Sequence, residues 1–198
     1  MSSKNNPTRI RILKAAYDLL LTQKGKGVRM TDIAKAVGIS RQALYLHFPT
    51  RAELLDGLTR YLSDQKGETE RLEASRTAAT GIERLEAYVG SWASYIPEIY
   101  GLAKALLAMS DTDKAAAKTW ADRMEDMREG CEAAILALSR DGTLSKDYTI
   151  EEATDLLWTM LSVRNWEHLT IDCGWSQEKY AETIMSSTRT LFVNEEAG

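Results

Sequence analysis

Between Met30 and Phe48 the chain reads MTDIAKAVGISRQALYLHF, and no other stretch restricts the fold so tightly. Ile33, Ala34 and Val37 recur at helical spacing over about 31–37, and Gly38 sits where the residue closing a helix takes a left-handed conformation. Ser40 can cap a further helix over about 41–47, because its side-chain oxygen accepts from a first-turn amide, and Pro49 ends that helix. Two short helices joined by a tight turn containing glycine are the sequence form of a helix-turn-helix. Ala34 is small where the two would cross, and Ile33, Val37, Ile39 and Leu44 fill the wedge between them. A preceding stripe of Ile10, Ile12, Leu13, Ala16, Tyr17, Leu20 and Leu21 predicts a first helix, stopped by the Lys-Gly repeat at 24–27.

The helix at 41–47 presents an outward polar face. Arg41 and Gln42 fall in its first turn, the end that such a helix inserts into the major groove of DNA. Arg can bond guanine O6 and N7 with two parallel bonds, Gln can do the same for adenine, and Ala43 can meet a thymine methyl. Tyr45, His47 and Arg51, with backbone amides at helix starts, suit phosphate contacts, and Ser40 belongs to the margin of the same surface. His47 and Tyr45 are equally suited to packing beside their aromatic neighbours. For Arg41 and Gln42 the alternative is a solvated helix start.

Charge supports this reading. The net charge of the 198-residue chain is −4, but it is unevenly divided. Residues 1–66 hold twelve Lys/Arg against five Asp/Glu, a net of +7, and the remainder holds 13 against 24, a net of −11. An anionic polymer would be drawn to the first part and repelled by the second. Chance clustering on a solvated surface is the alternative that counting leaves open.

The stretch MTDIAKAVGISRQALYLHFPTRAELL also resembles the DNA-binding domain of tetracycline-repressor-like (TetR family) regulators over roughly residues 9–60. The shared features are an Asp-Ile-Ala helix, a Gly-Ile-Ser turn in place of Gly-Val-Ser, a Leu-Tyr-x-His-Phe recognition helix and a basic residue opening the fourth helix. The resemblance implies base reading by Thr31, Arg41, Gln42, Ala43 and Leu46, and phosphate contacts from Tyr45, His47 and Arg51. Arg51 stands where the family usually has Lys. Arg29 and Met30 stand where a Thr often caps the second helix, which leaves Thr31 as a possible substitute cap. In the family the rest of the chain is a helical domain that binds a small molecule and dimerises through its last two long helices, and repression is the commoner mode.

Beyond residue 50 the pattern remains helical, in keeping with only three Pro and twelve Gly. Thr50/Glu53, Thr80/Glu83 and Thr149/Glu152 each have the spacing of a capping box ahead of a periodic segment. From Ile82 a stripe runs through Leu85, Val89, Trp92 and Ile96 to Pro97, expected to kink or divide the helix, and resumes at Ile99, Leu102 and Leu106. Another runs from Trp120 through Met124, Met127, Cys131 and Ile135 to Leu138. The segments 150–172 and 177–192 carry apolar residues on two neighbouring stripes. A broad apolar arc predicts burial on two sides, against the chain's own core and against a second subunit, or else a central helix in a monomeric bundle.

The expected fold is therefore all-α: an N-terminal three-helix helix-turn-helix domain over 1–50, then a C-terminal helical ligand-binding and dimerisation domain over 51–198, with the fourth helix from 51 linking the two. Tyr88, Trp92, Tyr95, Tyr100, Trp120, Met124, Met127, Trp158 and Trp166 are the candidate lining of a pocket for a flat or apolar effector, though individually each suits a core position. The expected partners are double-stranded DNA, a small-molecule effector of unknown identity and a second copy of the chain, docked through about 150–192. Cys131 and Cys173 are expected to be buried free thiols in a reducing compartment. The polar N-terminus, and apolar runs no longer than the six residues 133–138, favour a cytoplasmic protein over a secreted or membrane-spanning one. No Ser/His/Asp arrangement, phosphate loop or HExxH pair suggests an enzyme, and no cofactor or metal is expected. A helical interaction module or small-molecule sensor without DNA binding is the competing function.

Overall fold

The computed structural model describes residues 6–23, 28–65 and 67–194; the Lys-Gly repeat expected to stop the first helix lies outside them. The order is α1 (Pro7–Thr22), α2 (Met30–Val37), α3 (Arg41–His47), α4 (Arg51–Gln65), α5 (Glu68–Arg76), α6 (Gly81–Met109), α7 (Lys114–Arg140), α8 (Ile150–Met160), α9 (Val163–Glu167), a π-helical turn (His168–Asp172) and α10 (Gln177–Phe192). The fold is all-α. Among the described residues an isolated antiparallel bridge joins Leu144 to Val193. No helix among them is long and apolar enough to cross a membrane.

The chain forms two compact units, Met1–Gln65 with Ile99–Arg123, and Lys66–Glu98 with Met124–Gly198. Helices α6 and α7 each contribute one end to each unit. The boundary expected after residue 50 falls inside the first unit, between α3 and α4. That unit closes around Ile12, Leu13, Ala16 and Leu20 of α1, Ile33 and Val37 of α2, Leu44 of α3, Phe48, and Leu54, Leu55 and Leu58 of α4. Each fully buried side chain of this type contributes about 1.5–3 kcal/mol. This unit also takes Leu102, Leu106 and Met109 from the end of α6.

The second unit shows how helix breaks are satisfied. Pro97 lies inside a continuous α6 rather than dividing it. Proline has no amide hydrogen, so the carbonyl four residues earlier, on Ala93, loses its helical donor. Gln177 Nε2 donates to that carbonyl instead, at 2.7 Å, while Gln177 Oε1 accepts from Trp166 Nε1 at 2.9 Å. The segment 150–172, expected as one helix, breaks after Met160 because Ser162 caps a new one, its hydroxyl accepting from the Asn165 amide. The freed carbonyl of Leu161 accepts from Trp92 Nε1 at 2.6 Å.

Cys131 is buried, as expected, but Cys173 is exposed, because it follows the π-helical turn rather than lying within a helix. Burial pushes the Cys131 thiol up to about 12, against the opposing effects of the Tyr88 hydroxyl and the Arg128 charge. It therefore stays protonated and unreactive.

Candidate nucleic-acid interface

The turn between α2 and α3 is built as the glycine demanded. Gly38 has φ 76° and ψ 33°. Its amide donates to Lys35 O, and the Ile39 amide donates to Ala34 O, the paired bonds of a Schellman ending. A side chain at residue 38 would meet nothing within 4 Å, so the requirement for glycine is one of backbone conformation rather than space. Ser40 Oγ accepts from the Ala43 amide at 3.1 Å and starts α3. At the other end of the unit, the start of α2 is capped by Asp32, whose carboxylate accepts from the Arg29 amide at 2.9 Å. Thr31 therefore does not substitute as the cap; it lies in the first turn with its side chain exposed.

Helix α3 is anchored by Leu44, which is fully buried, and this orients the rest of its surface. Arg41 and Gln42 are exposed, Ala43, Tyr45 and His47 are half-buried, and Leu46 is 86% exposed. Leu46 thus stands on the same outward surface of α3 as Arg41 and Gln42. The Arg41 guanidinium lies over the Tyr45 ring, 5.3 Å from its centroid, with one Nη 3.5 Å from the Tyr45 hydroxyl. At that length the hydrogen bond is weak, and the pair is chiefly a cation over an aromatic face. Thr31, Ser40, Arg41, Gln42 and Leu46 thus all present exposed side chains on α2, α3 and the turn between them.

Arg51 is placed differently. Its Nε bonds Asp113 Oδ2 at 2.6 Å, its Nη1 bonds Val28 O at 2.6 Å, and its Nη2 lies 3.7 Å from Met109 Sδ. Burial pushes the Asp113 carboxyl upward, but the Arg51 hydrogen bond and charge and the amides of Ala116 and Ala115 outweigh it, so it ionises below the usual carboxylate range. In this structure Arg51 ties the start of α4 to the start of α7. Neither Asp113 nor the basic residues of α1 that reach the helix-turn-helix carry a sequence signature; they become visible only when the helices are packed.

The nine pocket candidates divide between the units. Tyr100 and Trp120 lie in the first, where Trp120 packs on the core and Lys104 donates to the Tyr100 hydroxyl at 2.9 Å. The other seven lie in the second. There Tyr88 donates to Met127 O at 3.0 Å, Trp92 and Tyr95 meet edge to face at 6.0 Å, and Met124 and Trp158 are half-buried. The Trp92 ring nitrogen is committed at the break after Met160, to Leu161 O, and that of Trp166 to Gln177, which serves the Pro97 site of α6. Two hydroxyls that the sequence did not single out, on Thr154 of α8 and Tyr180 of α10, are buried without a hydrogen-bond partner among the described residues.

A left-handed glycine turn, a capped short helix and an outward polar face make residues 30–48 a helix-turn-helix of the DNA-reading class. Residues 12–58 match the profile described as bacterial regulatory proteins, tetR family. The nucleoid occlusion factor SlmA of Marinomonas sp. is 38% identical over 64 residues, 32% of this chain and 32% of that protein. The HTH-type transcriptional regulator AlkX of Mycobacterium tuberculosis is 33% identical over 115 residues, 52% of this chain and 53% of that protein. The chain thus spans about a third and about half of the lengths of these two relatives. A transcriptional regulator from Saccharomonospora viridis, solved in complex with choline, superposes with a TM-score of 0.73 at 19% identity, covering 94% of this chain and 98% of that one. That likeness is one of fold.

Proposed function

We propose that this protein is a sequence-specific transcriptional regulator that binds an inverted-repeat operator as a homodimer and is released by a small molecule. The observation that carries the reading is the face of α3, where Arg41, Gln42 and a nearly fully exposed Leu46 surround a completely buried Leu44. Arg41 and Gln42 supply base-edge donors and acceptors, Ala43 and Leu46 apolar contact with thymine methyls, and Thr31, Tyr45 and His47 the flanking contacts. Arg51 would join them at a phosphate only by exchanging partners it already holds. Repression follows the family's commoner mode, and such a protein works where the chromosome is, in the cytoplasm.

The effector would occupy the second unit. Its aromatic and Met side chains supply an apolar lining, and the unpartnered hydroxyls of Thr154 and Tyr180 would be satisfied by a ligand with a hydrogen-bonding end. The Saccharomonospora viridis protein shows a small organic molecule held by this fold. To weaken operator binding about 100-fold, the effector must favour the DNA-incompetent state by roughly 2.7 kcal/mol.

The deciding experiment is selection of binding sites from random duplex DNA, followed by affinity for the winner at several salt concentrations. An inverted repeat, bound with a steep salt slope and weakened by about 1–3 kcal/mol in Arg41→Ala, is the expected result. Full function with Arg41→Ala, or no enriched sequence, would favour the interaction module instead.

A further inference from the structure

Helix α3 has seven residues, too few to persist without support at both ends. Ser40 holds the first end. The last end is held from α1: Arg9 Nη1 donates to the carbonyl of His47, the final residue of α3, at 2.5 Å. The same guanidinium lies over the Phe48 ring, its Cζ 3.9 Å from the ring centroid, and Phe48 is completely buried. Space for this stack is left by Gly57 of α4, where a Cβ would come within 2.9 Å of Phe48 Cε1 and 3.4 Å of Arg9 Nη2. A cation at this point meets the negative end of the α3 dipole and satisfies one of its unpaired carbonyls. Arg11 does the corresponding service for α2, donating to Val37 O at 2.8 Å.

We propose that Arg9 is a positioning residue for base recognition: through the His47 carbonyl and the Phe48 ring it fixes the orientation of α3, so that Arg41, Gln42 and Leu46 meet base edges in register. The inference rests on the DNA-binding reading above. Its signature follows from the division of labour at such interfaces. Phosphate contacts supply non-specific binding and tolerate a loosely held helix, whereas base contacts require a fixed one. Loss of Arg9 therefore lowers the preference for the operator over other DNA, more than it lowers affinity for DNA in general. Lys keeps the charge but cannot place one delocalised cation at once on the His47 carbonyl and over the Phe48 ring, so it replaces Arg9 only in part.

The test uses the whole 198-residue chain with Arg9→Gln, Arg9→Lys and, for comparison, Arg11→Gln. Affinities are measured across salt for the operator selected by the wild type and for a scrambled duplex, and amide exchange over 41–48 is followed without DNA. Arg9→Gln is expected to weaken operator binding about tenfold or more while scrambled-duplex affinity changes less than about twofold and its salt slope is unchanged. Arg9→Lys recovers part of the preference, Arg11→Gln leaves it intact, and exchange in α3 accelerates in Arg9→Gln. Equal loss on both duplexes, with a slope shallower by about one, makes Arg9 a phosphate contact and overturns the proposal. So does an unchanged preference accompanied only by lower thermal stability. If the wild type enriches no sequence, the DNA-binding reading fails and the positioning role with it; the exchange data then still report whether Arg9 holds α3, which separates the two failures.

Discussion

Tyr180 is completely enclosed, yet its hydroxyl has no hydrogen-bond partner among the described residues, and burial alone pushes the phenol up to about 12. An unpaired buried hydroxyl costs about 1–3 kcal/mol, and removing it with the ring retained recovers part of that. Tyr180→Phe is therefore expected to stabilise the free protein by about 1 kcal/mol, read as a higher urea midpoint at neutral pH. The pH dependence has a definite sign. Folding favours the protonated phenol, so the neutral form's advantage is intact below its ordinary value near 10 and is lost as pH rises from there toward 12. Cys131, raised by burial from 9.0 to about 12, behaves in the same way over a window that opens lower. Stability should fall through the alkaline range in the wild type and fall less in Tyr180→Phe. A variant with the same alkaline slope as the wild type would mean that Tyr180 ionises freely in the fold. Asp113 gives the opposite dependence. Its lowered pKa contributes stability that is present above 3.8 and lost as pH falls through the folded value. Asp113→Asn retains the oxygen that caps α7 but not the charge opposite Arg51, and both side chains of this pair are 22% exposed. It should cost about 1–2 kcal/mol near neutral pH, less than a fully enclosed pair, with the difference from wild type vanishing in acid. An equal cost at pH 2 and pH 7 would count against the ion pair as its source.

At the scale of elements, the parts of the chain that were legible beforehand are those in which local chemistry and tertiary packing agree. The Schellman glycine at 38, the Ser40 cap and the Thr149/Glu152 box each act within a few residues, and they stand where the spacing put them. The Thr80/Glu83 box also forms, with Glu83 accepting from the Thr80 amide and Thr80 from the Glu83 amide. What could not be read is where distant groups compensate a local defect. Pro97 is a helix breaker by every local rule, and α6 continues through it because Gln177, 84 positions along the chain from Ala93, supplies the missing donor. The helix α5, with little apolar periodicity, and the break after Met160 escaped notice for the related reason that their signals are single residues. In the candidate site, Arg41 and Gln42 could be found from their place in the first turn, while Arg9 and Asp113 act across elements and leave no pattern. The Pro97–Gln177 relation can be tested by a double-mutant cycle. Gln177→Ala leaves the Ala93 carbonyl and the Trp166 ring nitrogen without this partner and should cost about 2 kcal/mol. In a Pro97→Ala background, where residue 97 donates to Ala93 itself, the same change should cost about 1 kcal/mol less. Additive effects would show that Gln177 does not stand in for the proline's missing hydrogen.

At the scale of the whole molecule, the proposed function depends on how many reading heads engage DNA at once. One helix-turn-helix buries too little surface to be selective, whereas two placed about 34 Å apart read successive major-groove faces of an inverted repeat. The homodimer proposed above, through about 150–192, would bring this about. In that segment Ile171 is 58% exposed and Met185 is 38% exposed, each a large apolar side chain left at the surface of a single chain. Met185 lies on α10, its thioether close to Gly90 of α6; being 38% exposed, it would still put a charge at the surface of α10 when replaced by Glu. Met185→Glu is expected to shift the protein from dimer to monomer by sedimentation at micromolar concentration, with the chain still folded because the side chain is already partly in water. Each phosphate contact contributes about 0.9 to the slope of log affinity against log salt. A monomer keeps one head's share, so its slope should be about half that of the wild type, and its preference for the intact inverted repeat over a single half-site should disappear. A Met185→Glu protein that remains dimeric would move the interface away from α10. One that is monomeric but keeps the full slope and the preference for the repeat would remove dimerisation from the mechanism, and would leave the basic first 66 residues, with their net charge of +7, to account for operator affinity alone.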